Sequence, residues 1–163
     1  MRARYLRCAS EDGVICYIAG LSPKTVILDV EPIVARWNTG APELDSGIGR
    51  FLDRLTAIPG IECIGFVTNS RRHALAAGVS KVRTFYVSSA HKPFRAGRYR
   101  GLPRPGVVIG DQLATDGILA WRLDFTFIHY CPRGEGSPAG VRIMHLAGSA
   151  LRPLFFSAAR EPR

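Results

Sequence analysis

Asp29, Thr68, Lys92 and Asp111 each close or follow an apolar run, and together they hold the parts of a phosphoryl-transfer site. Val26-Ile27-Leu28 ends in Asp29-Val30-Glu31, and Ile64-Gly65-Phe66-Val67 ends in Thr68-Asn69-Ser70. Val107-Val108-Ile109 leads into Gly110-Asp111-Gln112, with Asp116 about one helical turn further on, and Lys92 stands before Pro93 between the last two runs. A carboxylate can attack phosphorus as a nucleophile. A second carboxylate can join it on a hard divalent cation, while a hydroxyl and an ammonium hold the transferring oxygens. Taken singly, each residue has a plainer reading. An Asp after a strand is commonly a turn or cap residue, Thr68 alone would start a helix, and Lys92 alone would be a surface lysine. The ordered combination favours the chemical reading.

The elements that must position these residues are visible as five apolar runs, at 25–30, 63–68, 82–87, 107–109 and 125–129. Each is short, rich in Val, Ile and Phe, and apolar without strict alternation, as in strands covered on both faces. Between the first two, Ile48, Phe51, Leu52, Leu55 and Ile58 follow helical spacing until Pro59-Gly60 ends the helix. Asn69 or Ser70 can cap a short helix ending at Gly78, and 112–122 reads as a third helix. The alternation predicts an α/β fold, a Rossmann-like, doubly wound parallel sheet of about five strands with helices on both faces. Such sheets bind ligands beyond the carboxyl ends of their strands, at the topological switch point. Asp29, Thr68 and Asp111 fall at those ends. Residues 95–106 carry four Arg, three Gly and two Pro, so the crossover helix expected there must be short or absent.

The 163 residues suit one core-bearing domain. It is expected over 1–132, with 133–163 a Gly/Pro-rich linker and tail containing Leu154-Phe155-Phe156, which either docks on the domain or meets a partner. The formal charge of +9 is concentrated: nine Lys or Arg and no Asp or Glu lie from Arg71 to Arg104. Such a patch gathers anions, which suits a phosphorylated ligand, a nucleic acid or an anionic membrane surface; a solvated basic loop is an equally good reading. No apolar run approaches the roughly 20 residues a bilayer requires. The basic start of the chain is followed by no signal-type apolar segment. Cys8, Cys16, Cys63 and Cys131 lack metal-site spacing, and a reducing cytoplasm is the expected location. His73, His91, His129 and His145 show no paired spacing either, although His91 adjoins Lys92.

The ordered set Asp29-Val30-Glu31, Thr68, Lys92 and Gly110-Asp111-Gln112 with Asp116 resembles the haloacid dehalogenase superfamily. More narrowly it is similar to the small class III, YqeG-type phosphatases, in which Trp37-Asn38 and the string Gly-Asp-Gln-Leu-x-Thr-Asp are the most telling matches. The resemblance covers about residues 24–132. It implies a Mg²⁺ ion and an aspartyl-phosphate intermediate. It makes Asp29 the nucleophile, Glu31 the general acid, and Thr68, Asn69 and Lys92 the phosphate-binding residues. Metal ligands would be Asp29, Asp111 and the Glu31 backbone carbonyl, with Gln112 in support and Asp116 ordering a metal-bound water or orienting Lys92.

The chain departs from that family at Glu31, where Asp is usual, and at Pro32-Ile33, where Asn-Thr is common. An extra methylene moves the acid by more than about 1 Å, a shift that can cost roughly a hundredfold in rate, and Pro32 removes a backbone donor. Only 39 positions separate Asp29 from Thr68 and 24 separate Thr68 from Lys92. No cap domain fits in either interval, which points to a large or extended phosphorylated substrate or to a lid from a second subunit in a homo-oligomer. The expected function is therefore Mg²⁺-dependent phosphomonoester hydrolysis. Two alternatives stand beside it: a catalytically weakened binding protein for nucleic acid or a protein partner, and a phosphatidylglycerophosphate-type lipid phosphatase.

Overall fold

A computed structural model describes residues 2–37, 39–74, 82–132, 148 and 152–158. In chain order they form β1 (Ala3–Cys8), α1 (Glu11–Leu21), β2 (Thr25–Leu28), α2 (Ala41–Thr56), β3 (Cys63–Val67) and β4 (Arg83–Val87). A 3₁₀ turn (Ala96–Tyr99), β5 (Gly106–Gly110), a π-helical turn (Leu113–Gly117), α3 (Ile118–Leu123), β6 (Thr126–Tyr130) and β7 (Phe156–Ala158) follow. The strands make one sheet in the order β4-β3-β2-β5-β6-β1-β7, and each neighbouring pair is parallel.

The sheet has seven strands where five were expected, and both additions are edge-side. β1 escapes the pattern because Arg4 and Arg7 interrupt it; they face solvent while Tyr5, Leu6 and Cys8 are buried. β7 is three residues from the expected tail, pairing Ala3 with Phe156 and Arg4 with Ser157. Phe156 is buried there, whereas Leu154 is 66% exposed. Most of the remaining tail, including His145, lies outside the described residues, as do Asn38 and residues 75–81, which hold most of the short helix expected to end at Gly78; its described start, 71–74, is not helical.

Alternate strand residues serve two cores. Val26, Leu28, Ile64 and Phe66 join Val14 and Ile18 of α1 and Leu44, Phe51 and Leu55 of α2 on one face. Ile27, Val67, Val108 and Phe127 join Leu119 and Leu123 of α3 and Ala96 and Tyr99 of the 3₁₀ turn on the other. Helices thus cover both faces, the solution that parallel strands require. α1 begins at Ser10, whose side chain accepts from the Gly13 N–H at 3.2 Å. α2 has Pro42 in its first turn and closes before Pro59. The β4–β5 crossover contains only the 3₁₀ turn, as the Gly, Pro and Arg content of that segment led us to expect. No helix among the described residues is long and apolar enough to cross a membrane.

β2 lies between β3 and β5. α2 carries the chain from β2 to β3 on one face, and α3 carries it from β5 to β6 on the other. The direction of winding reverses between β2 and β5, which makes their carboxyl ends the switch point where open α/β sheets place ligands.

Candidate active site

Asp29 is one residue past β2, Thr68 one past β3 and Asp111 one past β5. The ladder continues just far enough to fix the first two: the Asp29 N–H donates to the Ile109 carbonyl at 2.8 Å and the Thr68 N–H to the Val87 carbonyl at 2.9 Å. The Asp29 carboxylate accepts from the Val30 N–H at 2.8 Å. Asp116 enters from the π-helical turn and accepts from the Gln112 N–H at 3.3 Å. Carboxylate oxygens of Asp29, Asp111 and Asp116 lie within 4.8 Å of one another, and all three residues are buried.

Gly110 makes room for this cluster. A β-carbon there would overlap the Asp116 carboxyl group, so the acid can fold back over the end of β5 only because residue 110 has no side chain.

Lys92 holds the acids together. Its ammonium lies 2.8 Å from Asp29 Oδ1 and 2.6 Å from Asp116 Oδ1, and it donates to the Val67 carbonyl at 2.8 Å. Its backbone is clamped by Asn69, which accepts from the Lys92 N–H at 2.7 Å and donates to the Lys92 carbonyl at 3.1 Å. Asn69 thus braces the lysine by its backbone. Burial would lower the lysine pKa, but the facing Asp116 and Asp29 charges outweigh it and raise it. Burial and then Asp116 push Asp29 well above the usual carboxylate range, against the pull of Lys92. Burial and then Asp116 raise Asp111 from 3.8 to about 8.

Those shifts have a sign that can be tested. Between 3.8 and about 8 the folded state keeps a proton on Asp111 that the unfolded chain has released. Stability in EDTA should therefore fall as pH rises through that window. The expected result is a melting temperature that declines from pH 5 to 8 more steeply in wild type than in Asp111→Asn. Equal slopes in the two proteins would contradict it.

Glu31 and Thr68 are brought together, but not as a free acid beside a free hydroxyl. The Thr68 hydroxyl donates to Glu31 Oε2 at 2.8 Å and the Ser70 hydroxyl to Oε1 at 3.3 Å. Arg72 reaches the same Oε1 at 3.1 Å. Its other nitrogen donates to the Thr39 carbonyl at 2.7 Å and hydroxyl at 2.9 Å, tying the 31–40 loop to the end of β3. The cluster around the three aspartates does not include the Glu31 side chain.

Four residues of this neighbourhood have no signal in the sequence. Ser70 and Arg72 act on Glu31 across 39 and 41 positions. His129, on β6, lies 2.8 Å from the Asp111 carbonyl through Nε2, and its Nδ1 lies 2.7 Å from the Tyr5 hydroxyl. A carbonyl only accepts, so Nε2 carries the proton and, in a neutral ring, Nδ1 accepts from Tyr5. The two rings prop the backbone that carries Asp111. The expected helix at 112–122 is present only from Ile118. Its first part is the π-helical turn, whose wider winding accompanies the inward placement of Asp116.

The donor set is three carboxylates, hard oxygen ligands of the kind Mg²⁺ or Ca²⁺ takes, and their mutual repulsion is offset in part by Lys92. The residues fit a divalent ion. Comparison of the chain with protein-family models, curated proteins and solved structures finds no match in any of the three.

Proposed function

We propose that the protein is a divalent-metal-dependent phosphomonoester hydrolase that works through a phosphorylated Asp29, as the resemblance to haloacid dehalogenase-type phosphatases implies. One observation carries the reading: three buried aspartates and a buried lysine converge at the switch point of the sheet. Asp29 attacks phosphorus, the ester oxygen leaves with a proton from Glu31, and water, giving a proton back to Glu31, then cleaves the acyl phosphate to regenerate the carboxylate. Lys92 holds Asp29 in place and offers its positive charge to the transferring oxygens, while Asp116 keeps the lysine oriented. A Mg²⁺ ion held by Asp29 and Asp111 would neutralise charge between nucleophile and phosphate.

Glu31 decides how good an enzyme this is. The Thr68 hydroxyl that a phosphoryl oxygen would use is engaged by Glu31 Oε2, and Arg72 fixes that carboxylate where it stands. This contact favours a second reading, a phosphate- and metal-binding protein that turns over slowly or not at all.

Phosphate release from an aryl phosphate by wild type, Glu31→Asp and Glu31→Gln, with Mg²⁺ and with EDTA, separates the two. The phosphatase reading expects Mg²⁺-dependent release that falls in Glu31→Gln, because an amide cannot protonate the leaving group. Glu31→Asp should raise the rate, because the shorter side chain frees the Thr68 hydroxyl. The absence of release from all three proteins, with Mg²⁺ still bound, would establish the binding protein instead.

A further inference from the structure

A groove of about 1070 Å³ begins at Asn69, Lys92 and Thr115, beside the aspartates. It runs along α3 to Asp124 and Ala3 at the opposite edge of the sheet. Beside it the β4–β5 crossover supplies a 3₁₀ turn in place of a helix. We propose that this groove binds single-stranded nucleic acid, so that a terminal phosphate of the strand is the group presented to Asp29. The inference rests on the phosphatase reading for its chemistry but not for its binding.

Charge and ring placement argue for that occupant. Phe94, two residues from Lys92, is 81% exposed at the groove. Arg100 and Arg122 line the groove, and Arg95 and Arg98 are exposed on the same crossover. The one acid among the described lining residues, Asp124, faces Arg104 at 3.7 Å. Elsewhere in the lining, Trp121 meets Phe155 edge-on with ring centroids 4.8 Å apart. An exposed ring flanked by guanidinium groups is what an unpaired strand needs, since a base stacks on the ring while cations follow the phosphates. A membrane surface calls for contiguous apolar area. Here guanidinium groups interrupt it: Arg95 follows Phe94 in the chain, and Arg100 and Arg122 share the lining. An extended strand also suits a groove that runs the depth of the sheet.

The test uses a 5′-phosphorylated, 3′-fluorescein-labelled oligothymidylate of about ten nucleotides, within the span of known single-strand sites. Anisotropy in EDTA reads binding without metal-dependent turnover. Phe94→Ala and Arg100→Ala should each weaken binding by roughly tenfold, and wild-type affinity should fall steeply with added salt. With Mg²⁺ present, the same substitutions should lower kcat/KM on the oligonucleotide by a similar factor and leave aryl phosphate turnover unchanged. Salt-sensitive, Phe94-dependent binding with no phosphate release from either substrate would support the groove and refute the phosphatase. Aryl phosphate turnover without oligonucleotide binding would do the reverse. Phe94-dependent sedimentation with phosphatidylglycerol vesicles, and none of the oligonucleotide binding, would assign the groove to a lipid surface and overturn the inference.

Discussion

Replacing Lys92 with methionine is expected to destabilise the folded protein by about 3–5 kcal/mol, the usual consequence of removing one partner from a buried ion pair. The lysine is 5% exposed and sits between Asp29 and Asp116, themselves 7% and 0% exposed. Methionine fills the stem but leaves two buried carboxylates without a cation. For a domain of this size each kcal/mol shifts the melting temperature by roughly 2–4 °C, so a drop on the order of 10 °C is expected at pH 8. The unpaired acids can respond by taking up protons, so the deficit should shrink at pH 5. A melting temperature within about 2 °C of wild type at pH 8 would show that Lys92 does not bind this cluster together. So would a deficit that grows on acidification.

Asp29→Asn should abolish phosphate release, with a loss of roughly a thousandfold or more in kcat, as expected when a covalent mechanism loses its nucleophile. The amide keeps the shape of the side chain and can still accept from the Val30 N–H, which meets the native carboxylate at 2.8 Å. Removing one of three mutually repelling acids should leave the fold intact, with a melting temperature no lower than that of wild type in EDTA. Activity and stability therefore separate in this variant, whereas in Lys92→Met they fall together. Turnover within about tenfold of wild type would exclude Asp29 as the attacking group.

The parts of this site that the sequence made legible are those whose neighbours in the chain announce them. Asp29, Thr68 and Asp111 stand out because short apolar strands stop at them, and strand ends on a parallel sheet share one edge. Asp116 is near Asp111 by helical spacing, although the π-helical turn that aims it inward leaves no periodic trace. Gly110 is readable as part of a motif, but its purpose depends on an atom it lacks. Arg72 was invisible as a site residue because its hold on Glu31 spans 41 positions and is set by backbone carbonyls of the 36–40 loop. His129 and Tyr5 were missed for the same reason, since Tyr5 reaches the site only once β1 has paired with β6, 124 positions away. α1 gave a weak signal: Gly13 and Gly20 lower its helix propensity, and only Val14 and Ile18 within it are buried.

Covalent trapping tests the proposed chemistry most directly. Wild type and Asp29→Asn would be mixed with a ³²P-labelled aryl phosphate and Mg²⁺, quenched in acid within the first turnover, and digested to locate the label. An acyl phosphate survives acid and is cleaved by hydroxylamine. The expected result is hydroxylamine-labile label on the peptide that contains Asp29, and none on the Asp29→Asn protein. Phosphate release by wild type with no label on that peptide, or label retained by Asp29→Asn, would contradict an aspartyl-phosphate mechanism at the switch point of this sheet.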